Sequence, residues 1–569
     1  MRNIALVLLL TSFAWCPLLA PGYFLKAHDA RHTLFFLVEF DQAIRDGAWY
    51  PRWAIDQAVG YGYPLFVFYA PLAYFVAEAF HLAGLSVTWS VKLAFLLSFW
   101  LGAIGMYLLA KKLWGEGAGL VASLLFTYAP YRLVDVYVRA ALAEFMAFSL
   151  MPLCLLAFFY LLERPRPRTL AAAGFSLGAI ILAHQITALM FLPILVAFVL
   201  YEALRGKRVQ ALIPSFLAGL LSLGLSAAYW VPALAERSFI VQEQWMMAKY
   251  NFREQFVYLF QLFAPDWGYG YAVAGPEDGM PLQVGIILLG SGVGALVWGW
   301  KKGEWRGRLT FWASVALVSF LLTLPASALV WEKVPLLPLV QFPWRFLALV
   351  VLSLSILAGL LGEVLGEGKW VLLLLALVAS FDYTLPQHTE VPRRMEEPVA
   401  VIDFELDYPD MRGMTAWTKE FPSESPLIEQ YLKGEPLRKA EIIRGRGEVI
   451  PLRHGGRSEE VEVRADEGVT LLFYTYYYPG WQAYVDGKPV PIRPEGKYGL
   501  IALDVPKGQH RILLRFEDTP LRFWSQILSL VSLLIGIAVC AIGSCGRAKT
   551  NAALSPESRL LPQPRRHQP

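Results

Sequence analysis

The segment LKAHDARHTLFF (25–36) follows directly on an apolar N-terminal run and brings an acid, two imidazoles and a guanidinium together. His28 and His32 are four residues apart and Asp29 precedes His32 by three, so a helix here would place them on one side. A carboxylate with imidazoles nearby can act as a general base or bind a divalent cation. Asp29 is therefore a catalytic candidate, and His28, Arg31 and His32 are candidates for substrate binding.

A second polar group lies in PYRLVDVYVRAALAEF (130–145). If this segment is helical, Arg132, Asp135 and Arg139 fall within about 60° of one another at about 100° per residue. Glu144 points elsewhere but lies close to the membrane surface. Asp135 and Glu144 are catalytic candidates, and the two arginines are candidates for binding substrate. A structural ion pair with the flanking arginines is the alternative for Asp135.

Three further side chains complete the set of candidates for substrate binding. His184 and Gln185 lie at the end of an apolar run, where the histidine could instead cap a helix. Arg345 could hold a phosphate by paired hydrogen bonds, or it could anchor the chain at the membrane surface beside Trp344. The aromatic residues of APDWGYGY (264–271) could stack on sugar rings.

The composition of the chain indicates the class of protein structure that positions these residues. Of the 569 residues, 56% are hydrophobic and only 17% are charged, whereas a soluble domain has about 25% charged residues. Apolar runs of about 18 residues or more recur, which indicates a polytopic helical membrane protein. The net charge of +4 is small, and the basic residues sit mostly between apolar runs, so they indicate topology and give no sign of nucleic acid binding.

The basic connectors determine the topology, because positive loops stay in the cytoplasm. All of them are cytoplasmic only if the segment 63–83 does not cross, so we interpret it as juxtamembrane or re-entrant. This leaves 12 predicted crossings with both ends in the cytoplasm. An uncleaved first helix is favoured over a cleaved signal peptide at 1–20, because no good small-x-small site follows it. The crossings are predicted at 4–20, 91–110, 117–131, 142–162, 169–185, 187–204, 211–235, 281–300, 309–326, 346–365, 370–385 and 523–545.

This topology places four loops on the outer side of the membrane, at 21–90, 132–141, 236–280 and 327–345. The candidate residues of the first two loops then share one space at the membrane–water boundary. Ionisable groups near hydrocarbon are costly and usually functional. The sequence therefore predicts that Asp29 faces the acids that follow the third crossing.

The chain divides into a transmembrane domain (1–385), an extracytoplasmic β-rich domain (386–520), a last transmembrane helix (521–545) and a disordered cytoplasmic tail (546–569). Segments such as EEVEVRA, VTLLFYTYYY and HRILLRF are rich in β-branched and aromatic residues, which is typical of strands. Asp486-Gly487 in AYVDGKPV predicts a tight hairpin turn. The aromatic residues of YYYPGW are expected to pack within this domain.

The motifs HDARHTLFFLVEFDQAIRDGAWYPRW, GYGYPLFVFYAPLAY, PYRLVDVYVRAALAEF, LAHQITAL, QFPWRFL and YYPGWQAYVDGKPVPI follow one another in that order. They resemble two linked bacterial groups, the 6-pyruvoyl-tetrahydropterin-synthase-related membrane proteins and the YfhO-like membrane proteins. The acidic first loop with re-entrant elements, followed by a second acidic loop, resembles the GT-C superfamily of membrane glycosyltransferases. No soluble pterin-synthase domain and no histidine cluster suited to its zinc site are visible in the sequence.

The resemblance implies an all-α GT-C-like bundle with a C-terminal β-rich domain, and sugar transfer on the outer face. The implied partners are a polyprenyl-linked sugar donor, a cell-envelope glycan or polymer acceptor, and membrane lipid. Asp29 would be the base or a metal ligand, and Asp135 or Glu144 would be the second-loop acid. Many GT-C enzymes carry a paired acid in the first loop, whereas HDAR holds one, so a role for Mg²⁺ or Mn²⁺ stays open.

Two other classes of function compete with the enzyme. A transporter or flippase for lipid-linked intermediates should hide ionisable groups near the middle of the membrane. Here the charges gather at one face, which favours the enzyme. A non-catalytic assembly factor whose outer domain binds polymer is the third interpretation, and it would retain function after Asp29 and Asp135 are both neutralised.

Overall fold

The computed structural model describes residues 2–243, 250–277 and 279–552. Helices occupy most of the chain up to residue 433, nine strands follow, and a long helix ends the described part. The α-helices are α1 (Arg2–Leu10), α2 (Ser12–Trp15), α3 (Ala30–Arg45), α4 (Leu65–Phe68), α5 (Leu72–Leu82), α6 (Val87–Trp114), α7 (Glu116–Thr127), α8 (Pro130–Tyr137), α9 (Leu142–Glu163), α10 (Pro167–Ala183), α11 (Gln185–Arg205), α12 (Leu212–Leu225), α13 (Ala227–Ala235), α14 (Ile286–Lys302), α15 (Arg306–Thr323), α16 (Ala328–Lys333), α17 (Leu347–Gly359), α18 (Leu361–Val364), α19 (Lys369–Ala379), α20 (Val399–Asp407), α21 (Leu427–Lys433) and α22 (Pro520–Ala552).

Five helical stretches of the described chain are long and apolar enough to cross a membrane, and the number rises to eight if each bent pair is one span. The bent pairs include α12 with α13, at 68°, and the α15–α16 region, at 93°. The prediction of a helical membrane domain is therefore confirmed. The count of 12 crossings and their orientation stay predictions. The five straight spans are Val87–Trp114, Leu142–Glu163, Gln185–Arg205, Pro343–Val364 and Pro520–Ala541.

Two uncertain parts of the predicted topology have a clear local structure. The segment 63–83 contains only the short helices α4 and α5, and α5 packs against α3 and α6. Helices α10 and α11 are separated by a single residue, His184, whose extended backbone (φ −158°, ψ 112°) forms the turn. One extended residue thus separates two helices for which the sequence leaves almost no connecting loop.

Glycine lets two helices of the membrane domain approach closely. A Cβ atom added at Gly362 would lie under 3.0 Å from the backbone of Gly117, and one added at Gly117 would meet the Gly362 carbonyl. Lipid tails are as apolar as helix surfaces, so helices in a membrane associate through van der Waals contact instead of the hydrophobic effect. Small residues at a crossing let the two backbones come close enough for this contact. The α7–α18 contact therefore depends on glycine at both positions.

Replacing Gly362 by alanine is expected to destabilise the membrane domain by about 1–3 kcal/mol, because the new methyl group overpacks this crossing. Gly294→Ala is the matched control, since its Cβ would meet no atom within 4 Å and alanine favours a helix. Thermal unfolding in detergent should show a lower midpoint for Gly362→Ala alone. Equal midpoints for both variants would contradict the close packing.

The C-terminal domain is a sandwich of two antiparallel sheets. One sheet has the order β1-β4-β8-β7 and the other β2-β3-β9-β5-β6. Alternate residues of β3, β4 and β9 point into one core, which contains Val461, Val463, Leu471, Phe473 and Leu514. The strands are β1 (Ala440–Arg444), β2 (Gly447–His454), β3 (Ser458–Ala465), β4 (Val469–Tyr476), β5 (Trp481–Val485), β6 (Lys488–Val490), β7 (Arg493–Glu495), β8 (Leu500–Val505) and β9 (Gly508–Phe516).

Local features of the sandwich match the sequence patterns. Asp486 and Gly487 join β5 to β6 with positive φ angles of 49° and 77°, as a two-residue type I′ hairpin requires. The side chains of Tyr476, Tyr478 and Trp481 are buried. The predicted hairpin and the predicted packing of these aromatic residues within the domain are both confirmed.

The core of the sandwich is completed by residues from the first loop of the chain. Trp53 is buried against Trp481 and Phe516, with ring centroids 5.3 and 5.1 Å apart, and Tyr61 lies 5.5 Å from Tyr476. This insertion was not predicted. The β domain and the first loop therefore share one hydrophobic core.

The junction between the sandwich and the last helix is short and anchored. Strand β9 ends at Phe516 and α22 begins at Pro520. Arg522, in the first turn of α22, is fully buried and binds both carboxylate oxygens of Glu236 at 2.9 and 2.7 Å. Helix α22 continues to Ala552, and residues 553–569 of the predicted tail lie outside the described part.

Candidate active site

Asp29 occupies the N-cap position of α3. Its side chain makes no capping hydrogen bond and is 49% exposed. The backbone N–H groups of His28 and Asp29 donate to the carbonyls of Val138 and Arg139 at 2.9 and 2.8 Å. The first and second loops are therefore in direct contact beside Asp29, as the sequence analysis expected.

The two histidines lie close to Asp29, and His28 also contacts the long loop. His28 donates from Nε2 towards the carbonyls of Gly270 and Tyr269, at 3.0 and 3.3 Å, and its ring stacks on Tyr271 at 4.4 Å. Burial lowers the pKa of His28, so its ring is neutral at pH 7. His32 lies with Nδ1 3.8 Å from Asp29 Oδ1. The long loop with its APDWGYGY motif thus joins the first loop here.

Two tyrosines feel the charge of the Asp29 carboxylate. Burial and then the negative charge of Asp29 raise the pKa of Tyr69 and of Tyr250 above the usual tyrosine range. This effect requires the carboxylate to lie within Coulomb range of both hydroxyl groups. Neither tyrosine was a candidate from the sequence, although Tyr69 lies in the GYGYPLFVFYAPLAY motif.

Arg31 turns towards the segment that precedes the β domain. Its guanidinium binds Asp407 at 2.6 Å and lies 5.1 Å from the centre of the Phe404 ring. Both partners belong to α20. The contact joins the start of α3 to α20 and leaves Arg31 half-buried beside Asp29.

Behind Asp29, two acids and two arginines form a buried quartet: Asp135, Arg139, Glu144 and Arg345. Arg139 binds Asp135 through one nitrogen and Glu144 through the other, at 2.9 Å. Arg345 reaches the same Glu144 oxygen at 3.2 Å. Helix α8 ends at Tyr137, so Arg139 lies just beyond it and can also reach Glu144.

The charge of the quartet depends on Asp135, whose side chain is fully buried. Burial and the nearby charge of Glu144 raise the pKa of Asp135 well above its usual range. Arg139 nevertheless binds this carboxylate directly, so the two acids of the quartet face two guanidinium groups. Among the described residues, Asp135 Oδ2 has no hydrogen-bond partner.

Arg132 lies apart from the quartet, in a box of aromatic rings. Its guanidinium carbon is 4.2 Å from the centre of Phe126, 4.4 Å from Phe145 and 5.0 Å from Phe148. Its single hydrogen-bond acceptor in the described structure is Ser149, at 2.8 Å. Arg132 is fully buried, so this geometry gives it no access to a bound substrate.

His184 and Gln185 differ in their surroundings. His184 caps α11: its Nδ1 accepts a hydrogen bond from the Thr187 backbone N–H at 3.3 Å and lies 2.8 Å from the Thr187 hydroxyl. Gln185, the first residue of the helix, is exposed. The capping role that the sequence left open for His184 is therefore present.

The acids here do not fit a divalent cation. Asp135 and Glu144 are engaged by guanidinium groups, which leaves Asp29 as a single accessible carboxylate, whereas Mg²⁺ and similar ions take several oxygen ligands. No group of three or more His, Cys, Asp or Glu side chains suited to a metal occurs within residues 2–243, 250–277 and 279–541.

Comparison with known proteins gives one family and several similar structures, two of which follow. The profile of a membrane protein family, described as the 6-pyruvoyl-tetrahydropterin synthase related domain, matches residues 66–387, more than half of the chain. No curated protein matches. ArnT from Cupriavidus metallidurans bound to undecaprenyl phosphate is 17% identical, with 66% of this chain and 63% of that chain covered and a TM-score of 0.44.

The second similar structure is the arabinofuranosyltransferase AftD from Mycobacteria. It is 13% identical, with 91% of this chain and 39% of that chain covered and a TM-score of 0.42. The chain thus spans less than two thirds of either protein. At these TM-scores neither similarity establishes a fold or a function for this chain.

Proposed function

The chain belongs to the family of 6-pyruvoyl-tetrahydropterin synthase related membrane proteins, and from the Asp29 site we propose that it is a membrane glycosyltransferase. It moves a sugar from a polyprenyl-phosphate-type lipid carrier to a cell-envelope acceptor on the outer face of the membrane. The proposal draws on the resemblance of the acidic first and second loops to those of GT-C enzymes. It also draws on the chemistry of the groups around Asp29.

One observation carries the proposal: Asp29 offers a half-exposed carboxylate, without a capping hydrogen bond, beside a buried quartet that holds two arginines. An acceptor hydroxyl must lose its proton as its oxygen attacks the anomeric carbon. A carboxylate within hydrogen-bond reach can take that proton. The bond between the anomeric carbon and the phosphate oxygen breaks, and the phosphate leaves with the electron pair.

The quartet suits the leaving phosphate. Its two guanidinium groups lie close to Asp29, since the Asp29 backbone N–H is bonded to the Arg139 carbonyl. Preorganised positive charge in a water-poor site stabilises a developing anion strongly. Arg345 and Trp344 lie at the start of a membrane span, which is the depth expected for a lipid phosphate. A polyprenyl chain would then lie against the apolar helices.

The test uses the whole protein in lipid nanodiscs, with a polyprenyl phosphate that carries a radiolabelled hexose or pentose. Envelope extract from cells lacking the protein serves as the acceptor. We expect label to move to the acceptor with equimolar release of polyprenyl phosphate. Mass spectrometry of envelope glycans from cells with and without the protein identifies the product.

Two results would contradict the proposed function. Label that crosses the bilayer of proteoliposomes while still attached to lipid would indicate a flippase. Unchanged donor together with normal envelope glycans in cells lacking the protein would remove sugar transfer altogether. An assembly factor would instead retain its cellular function after Asp29 and Asp135 are both replaced by asparagine.

A further inference from the structure

The β2–β3 hairpin of the sandwich docks on the C-terminal end of α3, the helix that begins at Asp29. Asp46, the residue after α3, accepts hydrogen bonds from the Arg453 guanidinium, the Arg457 backbone N–H at 3.0 Å and the Ser458 hydroxyl at 2.6 Å. Arg457 also donates from Nε to the Asp46 carbonyl at 3.0 Å. The hairpin thus caps this end of the helix.

Glycine makes the approach possible. A Cβ atom at Gly456 would lie under 3.0 Å from the backbone of Gln42 and Ala43 in α3, and one at Gly455 would meet the Asp46 carboxylate. Neither glycine is among the described residues with positive φ, so space and not backbone conformation requires them. The hairpin backbone therefore lies directly against the backbone of α3.

Beside the hairpin lies a buried polar cluster centred on Asp56. This carboxylate accepts from Gln42 Nε2 at 2.8 Å and from the Tyr431 hydroxyl, and it faces His454 Nε2 at 3.4 Å. The other ring nitrogen of His454 donates to Glu459 at 2.6 Å. An acid of the first loop is therefore tied to the hairpin through a histidine.

The loop that carries Asp56 is held in a strained conformation. Ala58 and Val59 have φ angles of 53° and 50°, a left-handed region that is unfavourable for a β-branched residue. Their N–H groups donate to the two oxygens of Glu405 at 2.8 and 2.6 Å, and Lys439 donates to the Gly60 carbonyl at 2.5 Å. Such strain persists only where surrounding contacts impose it, and it is typical of functional regions.

We propose that the β2–β3 hairpin is a positioning clamp for α3, by which the β domain sets the place of Asp29 in the proposed active site. The 16-residue helix is about 24 Å long and transmits a displacement at Asp46 to its other end. The hairpin residues contact no reacting group, so they are positioning residues. The inference rests on the proposed function only for its effect on sugar transfer.

The test is Gly456→Ala in the full-length protein, with Gly468→Ala as the matched control. Gly468 lies in the connection between β3 and β4 of the same domain, and its Cβ would meet no atom within 4 Å. In Gly456→Ala we expect at least tenfold faster amide hydrogen exchange in 28–45 than in the control. We also expect kcat to fall about 10–100-fold, because a misplacement of about 1 Å has an effect of this size, with little change in donor KM.

The exchange measurement needs no activity, so the two proposals can fail separately. Faster exchange without any measurable transfer in the wild type would refute the proposed function and support the clamp. If residues 28–45 of Gly456→Ala exchange their amide hydrogens at the wild-type rate, the clamp proposal is overturned. If Gly456→Ala does not fold, Asp46→Asn provides the same test, because asparagine has one acceptor oxygen and cannot accept from both the Arg453 guanidinium and the two donors that share Oδ2.

His454 gives the clamp a pH dependence. Burial alone would lower its pKa, but the charge of Glu459 and hydrogen bonds to Asp56 and Glu459 raise it to about 9. The imidazole faces Asp56 of the first loop, Glu459 of β3 and Lys439, while Glu39 of α3 and Tyr431 of α21 contact Asp56. The cation therefore joins two carboxylates.

Because this pKa is raised above the unfolded value of about 6.5, the contribution of His454 is complete below about pH 6.5. It is lost as the pH rises through about 9. The ratio of exchange rates in 28–45 between His454→Gln and the wild type should therefore fall towards one between pH 6.5 and 9. A ratio that is constant over this range would contradict the role of His454, since a purely steric hairpin contact has no such profile.

Discussion

Replacing Asp29 by asparagine is expected to lower sugar transfer by about 10²–10⁴-fold, the usual contribution of a general base. Asparagine keeps the size and the hydrogen-bonding capacity of the side chain but cannot accept the acceptor proton. The backbone bond from residue 29 to Arg139 stays intact, so the fold should be unaffected. Transfer of radiolabelled sugar in nanodiscs, at matched protein levels, measures the change.

The matched control is Asp382→Asn, which removes an exposed carboxylate elsewhere in the chain. This variant should transfer sugar at the wild-type rate. Donor binding by Asp29→Asn should be close to normal, because the phosphate is expected to contact the arginines. An Asp29→Asn protein with wild-type kcat would remove Asp29 from the mechanism.

Replacing Arg139 by methionine is expected to destabilise the protein by about 3–5 kcal/mol, as is usual when one partner of a buried ion pair is removed. Methionine fills similar space, but it leaves Asp135 and Glu144 facing each other without the cation between them. Arg345 alone then balances Glu144. Chemical unfolding in detergent, followed by tryptophan fluorescence, measures the loss.

Two comparisons decide whether the loss comes from uncompensated charge. Arg253→Met breaks an exposed pair with Glu332 and should change stability by about 1 kcal/mol or less. Adding Asp135→Asn to Arg139→Met should recover most of the lost stability, because Arg345 still balances Glu144. A double variant as unstable as Arg139→Met would show that packing against Trp344, and not charge, dominates.

Much of the candidate site could be predicted from the sequence, because membrane topology and hydrophobic periodicity can be read from residues that are neighbours in the chain. Asp29 and the second loop belong to connectors of the same predicted side, and they are found in contact. The strand patterns around Val461 and Leu471 and the turn at Asp486-Gly487 depend on neighbouring residues, so they were predicted correctly. The membrane helices follow from length and apolarity for the same reason.

What the sequence could not predict depends on pairs that are far apart in the chain. Trp53 enters a core built more than 400 residues later, and Asp56 meets His454 across 398 residues. Glu144 was expected to point away from Asp135, yet Arg139 joins the two because α8 ends at Tyr137. Charge near hydrocarbon identifies a polar site, but it does not distinguish a substrate site from a self-neutralising ion quartet.

The junction after β9 limits how far the sandwich can move. Three residues separate Phe516 from α22, so the linker spans at most about 10 Å, and Arg522 fixes its far end to Glu236. The sandwich is thus held close to the first turn of α22 and cannot swing outward like a tethered arm.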